Sequence, residues 1–137
     1  MALKKMLTTV GMSAAAVVTS FAVASPALAY DTSWKTDDGD PGGVVYWTAN
    51  GDVVKICDIE ADGWATSAQV FSVRPDGLRA FEYQFYVGGN GSCADRKASE
   101  GATFNLPEDR KVFINLCLMK DDWARLDYCD SGTVAQG

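Results

Sequence analysis

Apolar and polar residues alternate with a period of two through VVYWTANGDVVKIC, Val44 to Cys57. Successive side chains of a strand point to opposite faces, so this period predicts two strands, each with one apolar and one mixed face. Asn50-Gly51 separates them. Both residues tolerate the positive φ that the central positions of a type I′ turn require, and a two-residue loop fixes the register. Thr48 then lies opposite Val53, Trp47 opposite Val54, Tyr46 opposite Lys55 and Val45 opposite Ile56. Val45, Trp47, Val54 and Ile56 share the core face; Tyr46, Thr48 and Lys55 share the other.

The same reading extends along the chain. After Cys57, the run Asp58-Ile59-Glu60-Ala61-Asp62-Gly63 is a turn, and Trp64 to Val73 is a strand. Arg74-Pro75-Asp76-Gly77 is a turn in which proline presets φ and Asp-Gly accommodates the return. In the next strand, Leu78 to Val87, the alternation places Phe81, Tyr83, Phe85 and Val87 on one face and Ala80, Glu82 and Gln84 on the other. Gly88 to Gly101 is a long polar connection. Ala102 to Leu106 is a short strand, Lys111 to Met119 the most β-like run of the chain, and Ala124 to Asp130 the last strand before a small, polar tail. About seven short strands, with turn signals between them and no helical period outside the leader, predict an all-β antiparallel sandwich of immunoglobulin-like type. A small barrel is the alternative architecture.

Composition then narrows the setting. Lys4 and Lys5 precede an apolar stretch from Val10 to Val23, and Ala27-Leu28-Ala29 supplies the small residues of a cleavage site, so residues 1–29 read as a secretory signal peptide. Residues 30–43, YDTSWKTDDGDPGG, have no apolar period and read as a polar, partly mobile lead-in; residues 44–137 form a single domain. The leader takes two of the 12 basic residues and none of the 18 acidic ones. The remaining 108 residues therefore carry ten positive charges against 18 negative, a net of −8. Such a surface repels nucleic acid and anionic lipid, and no basic cluster offsets it. The expected product is a secreted, extracellular monomer with no membrane contact after cleavage.

Four cysteines in a short exported chain predict two disulfides. Cys57, Cys93, Cys117 and Cys129 include no close pair, and the chain has no histidine, which excludes a zinc reading. In the last hairpin, Cys117 opposite Cys129 puts both on the same polar side of adjacent strands, with Leu118 facing Tyr128 and Met119 facing Asp127. Cys57 then pairs with Cys93. The other pairing, Cys57–Cys117 with Cys93–Cys129, makes a sheet-to-sheet core bridge and ranks second, because alternation groups these cysteines with Lys55 and Asn115.

Candidate chemistry is sparse. Asp58-x-Glu60-x-Asp62-Gly63 resembles the opening of a calcium loop, but its twelfth position is Gln69 instead of a bidentate Glu, and strands flank it. Asp37, Asp38 and Asp40 make a second acidic loop, read as solvated. With no histidine and every cysteine in a bridge, the usual base and thiol nucleophile are missing, so the expectation is no enzyme and no cofactor. Aromatic residues off the core face remain: Trp34, Tyr46, Tyr86 and Trp123. Flat aromatics stack on sugars or anchor a protein partner. Trp123, at the tip of Asp121-Asp122-Trp123-Ala124-Arg125, leads the candidates for ligand contact, with Trp34 and Tyr46 beside it.

The segment Cys57-Asp58-Ile59-Glu60-Ala61-Asp62-Gly63, the Leu116-Cys117-Leu118 strand and the closing Cys129 resemble a group of small exported actinobacterial proteins, mostly without assigned function. The resemblance implies a compact, disulfide-bonded β-sandwich and brings no catalytic residue. The small secreted α-amylase inhibitors of the same bacteria are also two-disulfide β-sandwiches, but their Trp-Arg-Tyr triplet is missing here; Tyr46-Trp47-Thr48 does not replace it. The sequence thus predicts a binding module, first of all for an extracellular protein such as a secreted hydrolase, and alternatively for cell wall or polysaccharide; a minor extracellular enzyme is the third reading.

Overall fold

A computed structural model describes residues 29–136. The expected leader therefore lies outside the described residues, except for Ala29. Eight strands form two antiparallel sheets. They are β1 (Thr32–Lys35), β2 (Gly43–Thr48), β3 (Val53–Asp58), β4 (Ala65–Val73), β5 (Arg79–Val87), β6 (Cys93–Arg96), β7 (Lys111–Lys120) and β8 (Arg125–Val134). The first sheet has the order β1-β2-β3-β6 and the second β5-β4-β7-β8. The all-β reading holds, with eight strands in place of seven.

The central hairpin pairs in the expected register, from Thr48↔Val53 to Val45↔Ile56. Val45, Trp47, Val54 and Ile56 are fully buried and face Ala68, Val70, Ile114 and Leu116 of the second sheet across the core. Its turn differs from expectation. Positive φ falls on Gly51 and Asp52, not on Asn50. Asp52 turns inward, and its Oδ2 accepts the Leu106 N–H at 2.9 Å. That bond helps to explain a second difference. Ala102 to Leu106 does not extend as a strand; Ala98–Glu100 and Ala102–Phe104 are single 3₁₀ turns. Phe104 then packs edge-on against Tyr83, with ring centres 4.9 Å apart.

Two strands come from stretches without a strand-like pattern. The lead-in contributes β1, which pairs with β2. The long polar connection contributes β6, whose Cys93 lies directly opposite Cys57 in β3. Pairing partners and a disulfide, not local apolar period, make these segments strands.

Both expected disulfides are present, Cys57–Cys93 and Cys117–Cys129. By loop-closure entropy they contribute roughly 4 and 3 kcal/mol for their 36- and 12-residue separations. The register beyond the second bridge is not the expected one. Leu116 pairs with Asp130 but Leu118 with Asp127, so β8 carries an extra residue, and Tyr128 takes φ 53° there. β8 also runs on through Ser131 to Val134, where a tail was expected.

A bulge in β5 corrects one core assignment. Val70 pairs with Tyr83 and Phe71 with Phe81, leaving Glu82 as the extra residue. Phe81 is thereby thrown outward and is 54% exposed, while Tyr83 and Phe85 stay buried. Glu82 turns to the other side, where its carboxylate accepts a 2.6 Å hydrogen bond from the Ser72 hydroxyl.

Candidate functional site

Antiparallel connectivity sends the β1–β2, β3–β4, β5–β6 and β7–β8 connections to one end of the sandwich. Local chemistry ties them together. Ile59 N–H donates to the Gly42 carbonyl at 3.0 Å, joining the first two loops. Asp58 is almost wholly buried and clamps the third: its Oδ2 accepts the Gly89 N–H at 2.9 Å, its backbone carbonyl accepts from Gly91 at 2.8 Å, and its own N–H donates to Ser92 at 2.9 Å. Asp37 N–H donates to the Tyr128 carbonyl at 3.0 Å, reaching β8 beside the fourth. Close approach at this end requires glycine. A Cβ on Gly43 would meet Thr66 Cγ2 at 2.7 Å, on the facing sheet.

The end is acidic. Asp37, Asp38, Asp40, Asp58, Glu60, Asp62, Asp121 and Asp122 gather in or beside these loops, against Lys35, Lys120 and Arg125. The two acidic loops, which read as separate in the sequence, meet here. Hydrogen bonding to the neighbouring Asp40 carboxyl, then loss of solvent, then the charges of Asp40, Asp62 and Asp38 push the Glu60 pKa up to about 7. A raised carboxyl pKa alone does not make an acid–base pair, which also needs a second group facing it across a substrate-wide gap. An open cleft of about 470 Å³ lies between the β3–β4 and β5–β6 loops, with Glu60, Trp64 and Asn90 in its walls. On Trp64 the Lys120 ammonium sits 4.6 Å and the Arg125 guanidinium 5.1 Å from the ring centre, and Tyr128 meets it edge-on at 6.1 Å.

The calcium-like residues do not converge as ligands. Asp58 uses Oδ2 on Gly89 and Oδ1 on the Glu60 N–H, and Asp62 Oδ1 accepts the Trp64 N–H. Among the described residues no group of three acidic side chains is arranged to hold a metal ion.

Trp123 sits at this end, half-buried, packed edge-on against Tyr86 with ring centres 6.0 Å apart. Its turn is unusual. Asp121, Asp122 and Trp123 have φ of 53°, 54° and 74°, three left-handed residues in succession without a glycine. Each left-handed L-residue costs roughly 1–2 kcal/mol, less for Asp. The Cys117–Cys129 bridge crosses the two strands below the turn.

The other two aromatic candidates are elsewhere. Trp34 lies over Gly132 of β8 and donates its indole N–H to the Asp130 carbonyl at 3.4 Å, closing the seam between the sheets. Tyr46 lies on the outside of the first sheet against Tyr30, 4.5 Å between ring centres, with Lys55 Nζ donating to the Tyr30 hydroxyl at 3.2 Å. The three do not share a surface.

Sequence reasoning passed over two features. Trp64 looked like the first residue of a strand, and nothing in its neighbours signals the cations that flank it. The outside of the second sheet also went unread. It carries Gln69, Gln84 and Asn115 in one row across three strands, linked by hydrogen bonds. Each residue's alternation was visible, but aligning them needs the register of three strands. Comparisons with protein-family models, curated proteins and solved structures find no match.

Proposed function

We propose that the protein works outside the cell as a binding module, not a catalyst, and that it contacts an extracellular protein through the loop end, with Trp123 at the centre. The observation that carries this reading is the β7–β8 turn. A turn holding three left-handed non-glycine residues above a disulfide is a stored conformation, and such strain concentrates at ligand clamps. A contact loop fixed before binding loses less ordering entropy when it docks. The surrounding carboxylates favour a partner with a basic contact surface, since opposite potentials steer association. An immunoglobulin-like account of the sandwich belongs with this proposal, two packed sheets presenting a set of loops at one end. A secreted hydrolase inhibited at its surface is the specific form of the idea.

The test is inhibition of a panel of secreted amylases and serine proteases by the disulfide-intact protein. Tight inhibition of one of them, weakened roughly thirtyfold by Trp123→Ala, is the expected result, because a central aromatic anchor is worth about 2 kcal/mol. Inhibition that survives Trp123→Ala and the Asp121→Ala/Asp122→Ala double variant places the contact elsewhere and overturns the reading.

A further inference from the structure

The outer face of the β5-β4-β7-β8 sheet differs from the rest of the surface. Strand registers assign its outward positions row by row: Arg79-Val73-Lys111, then Phe81-Phe71-Phe113-Thr133, then Gln84-Gln69-Asn115-Ser131, then Tyr86-Ser67-Cys117, with Phe113, Ser67 and Cys117 buried beneath their neighbours. No carboxylate occupies any of these rows, in a domain with 18 acidic residues. The β5 bulge contributes to this, because it sends the Glu82 carboxylate to Ser72 and Phe81 outward. Two aromatic side chains on one edge strand are thus well exposed, Phe81 at 54% and Tyr86 at 48%. From Gln84, which lies between them on β5, a row of amides runs across the sheet: Asn115 Nδ2 donates to Gln69 Oε1 at 3.2 Å, and Gln69 Nε2 donates to Gln84 Oε1 at 3.3 Å. Arg79, stretched over Phe113 at 3.5 Å from its ring centre, marks one end of the face.

We propose that this face docks a neutral polysaccharide, with Phe81 and Tyr86 stacking on sugar rings and Gln84, at the end of the amide row, pairing with hydroxyls between them. Aromatic faces take the apolar side of a sugar ring, and neutral amides exchange hydrogen bonds with hydroxyls without the desolvation cost of a charge. The rise of a strand puts Phe81 and Tyr86 roughly 15 Å apart, so the ligand is an extended chain and not a single sugar. Charge separates the possible occupants. Two copies of a chain with net charge −8 repel each other at long range, and the rows between Phe81 and Tyr86 hold no charge of either sign with which to pair an anionic polymer, so a neutral polymer is the occupant they match. This face adjoins the loop end at one point, where Tyr86 packs edge-on against Trp123, whereas Phe81 lies at the other end of β5.

The experiment is co-sedimentation of the disulfide-intact protein with cellulose and chitin as neutral polymers and with polygalacturonate as an anionic one, at low and high salt. The Phe81→Ala/Tyr86→Ala double variant and the Phe81→Ala single variant run beside it. Support is pelleting on a neutral polymer that is insensitive to salt, falls about tenfold or more in affinity in the aromatic double variant, and falls part of the way in the Phe81→Ala variant. Absence of pelleting on both neutral polymers overturns the proposal, as does pelleting undiminished by the aromatic double variant. Self-association in sedimentation velocity that disappears in that variant also overturns it, by assigning the face to a second copy. A Phe81→Tyr/Tyr86→Phe variant, which keeps both rings, controls for folding and retains binding if the rings act by stacking.

Discussion

Asp52 shows how much one residue can set. It is fully buried, takes φ 52°, and gives one carboxylate oxygen to the Leu106 N–H while the other has no protein partner. Its charge is felt by Tyr83, whose hydroxyl is pushed above its ordinary range first by burial and then by Asp52. Asp52→Ala strands a buried N–H and puts a Cβ-only residue in a left-handed conformation, at a cost of about 1–3 kcal/mol. Asp52→Asn keeps the carbonyl acceptor and tolerates the same φ, so it is expected to lose less than half as much. Urea denaturation of both variants measures the difference. Nothing in the sequence marked Asp52 for this role, because Asn50-Gly51 carried the stronger turn signal.

At the scale of elements, the β7–β8 hairpin stores conformational energy in its turn. Replacing Asp122 by glycine removes one left-handed penalty and is expected to raise stability by about 0.5–1 kcal/mol, seen as a higher midpoint in thermal unfolding. The same variant is expected to weaken any contact that depends on a preset Trp123. Much of this hairpin was legible: two strands, a tip at Trp123, and a bridge between Cys117 and Cys129 all follow from alternation. The bulge at Tyr128 was not, because an extra residue on one strand leaves the period of each half intact and shifts only their phase. The β5 bulge was hidden in the same way, and it moved Phe81 from the expected core to the surface. β1 and β6 were hidden differently. Their own residues carry little apolar pattern, and their strand character comes from β2, β3 and the Cys57–Cys93 bridge. The same limit applied to the candidate site, where Trp123 could be picked from its loop but its contact with Tyr86 could not.

For the whole molecule, charge is distributed by topology. Three of the four loops at one end bring together acidic segments that are distant in sequence, while the outward rows of the second sheet carry no carboxylate. The cost of this concentration falls on Glu60. Its proton is held more tightly in the folded protein than at the ordinary value of 4.5, up to about 7. Below pH 4.5 both folded and unfolded chains keep the proton, and the contribution of this group to stability is complete. As pH rises from 4.5 to 7 the unfolded chain releases the proton first, so that contribution is lost. Glu60→Gln does not titrate. The melting temperature of wild type relative to this variant is therefore expected to fall across pH 4.5–7.5 and to level off above, which thermal melts at four or five pH values will show.

The amide row gives the second sheet a direction. Asn115 of β7 donates to Gln69 of β4, which donates in turn to Gln84 of β5, leaving the Gln84 amino group as the donor end of the row and the Asn115 carbonyl as its acceptor end. The face is not symmetric under reversal. A chain that stacks on Phe81 and Tyr86 runs along β5, with the Asn115 end of the row two strands away. In the proposed docking mode it therefore meets the donor end of the row first, and the acceptor end stays out of its reach.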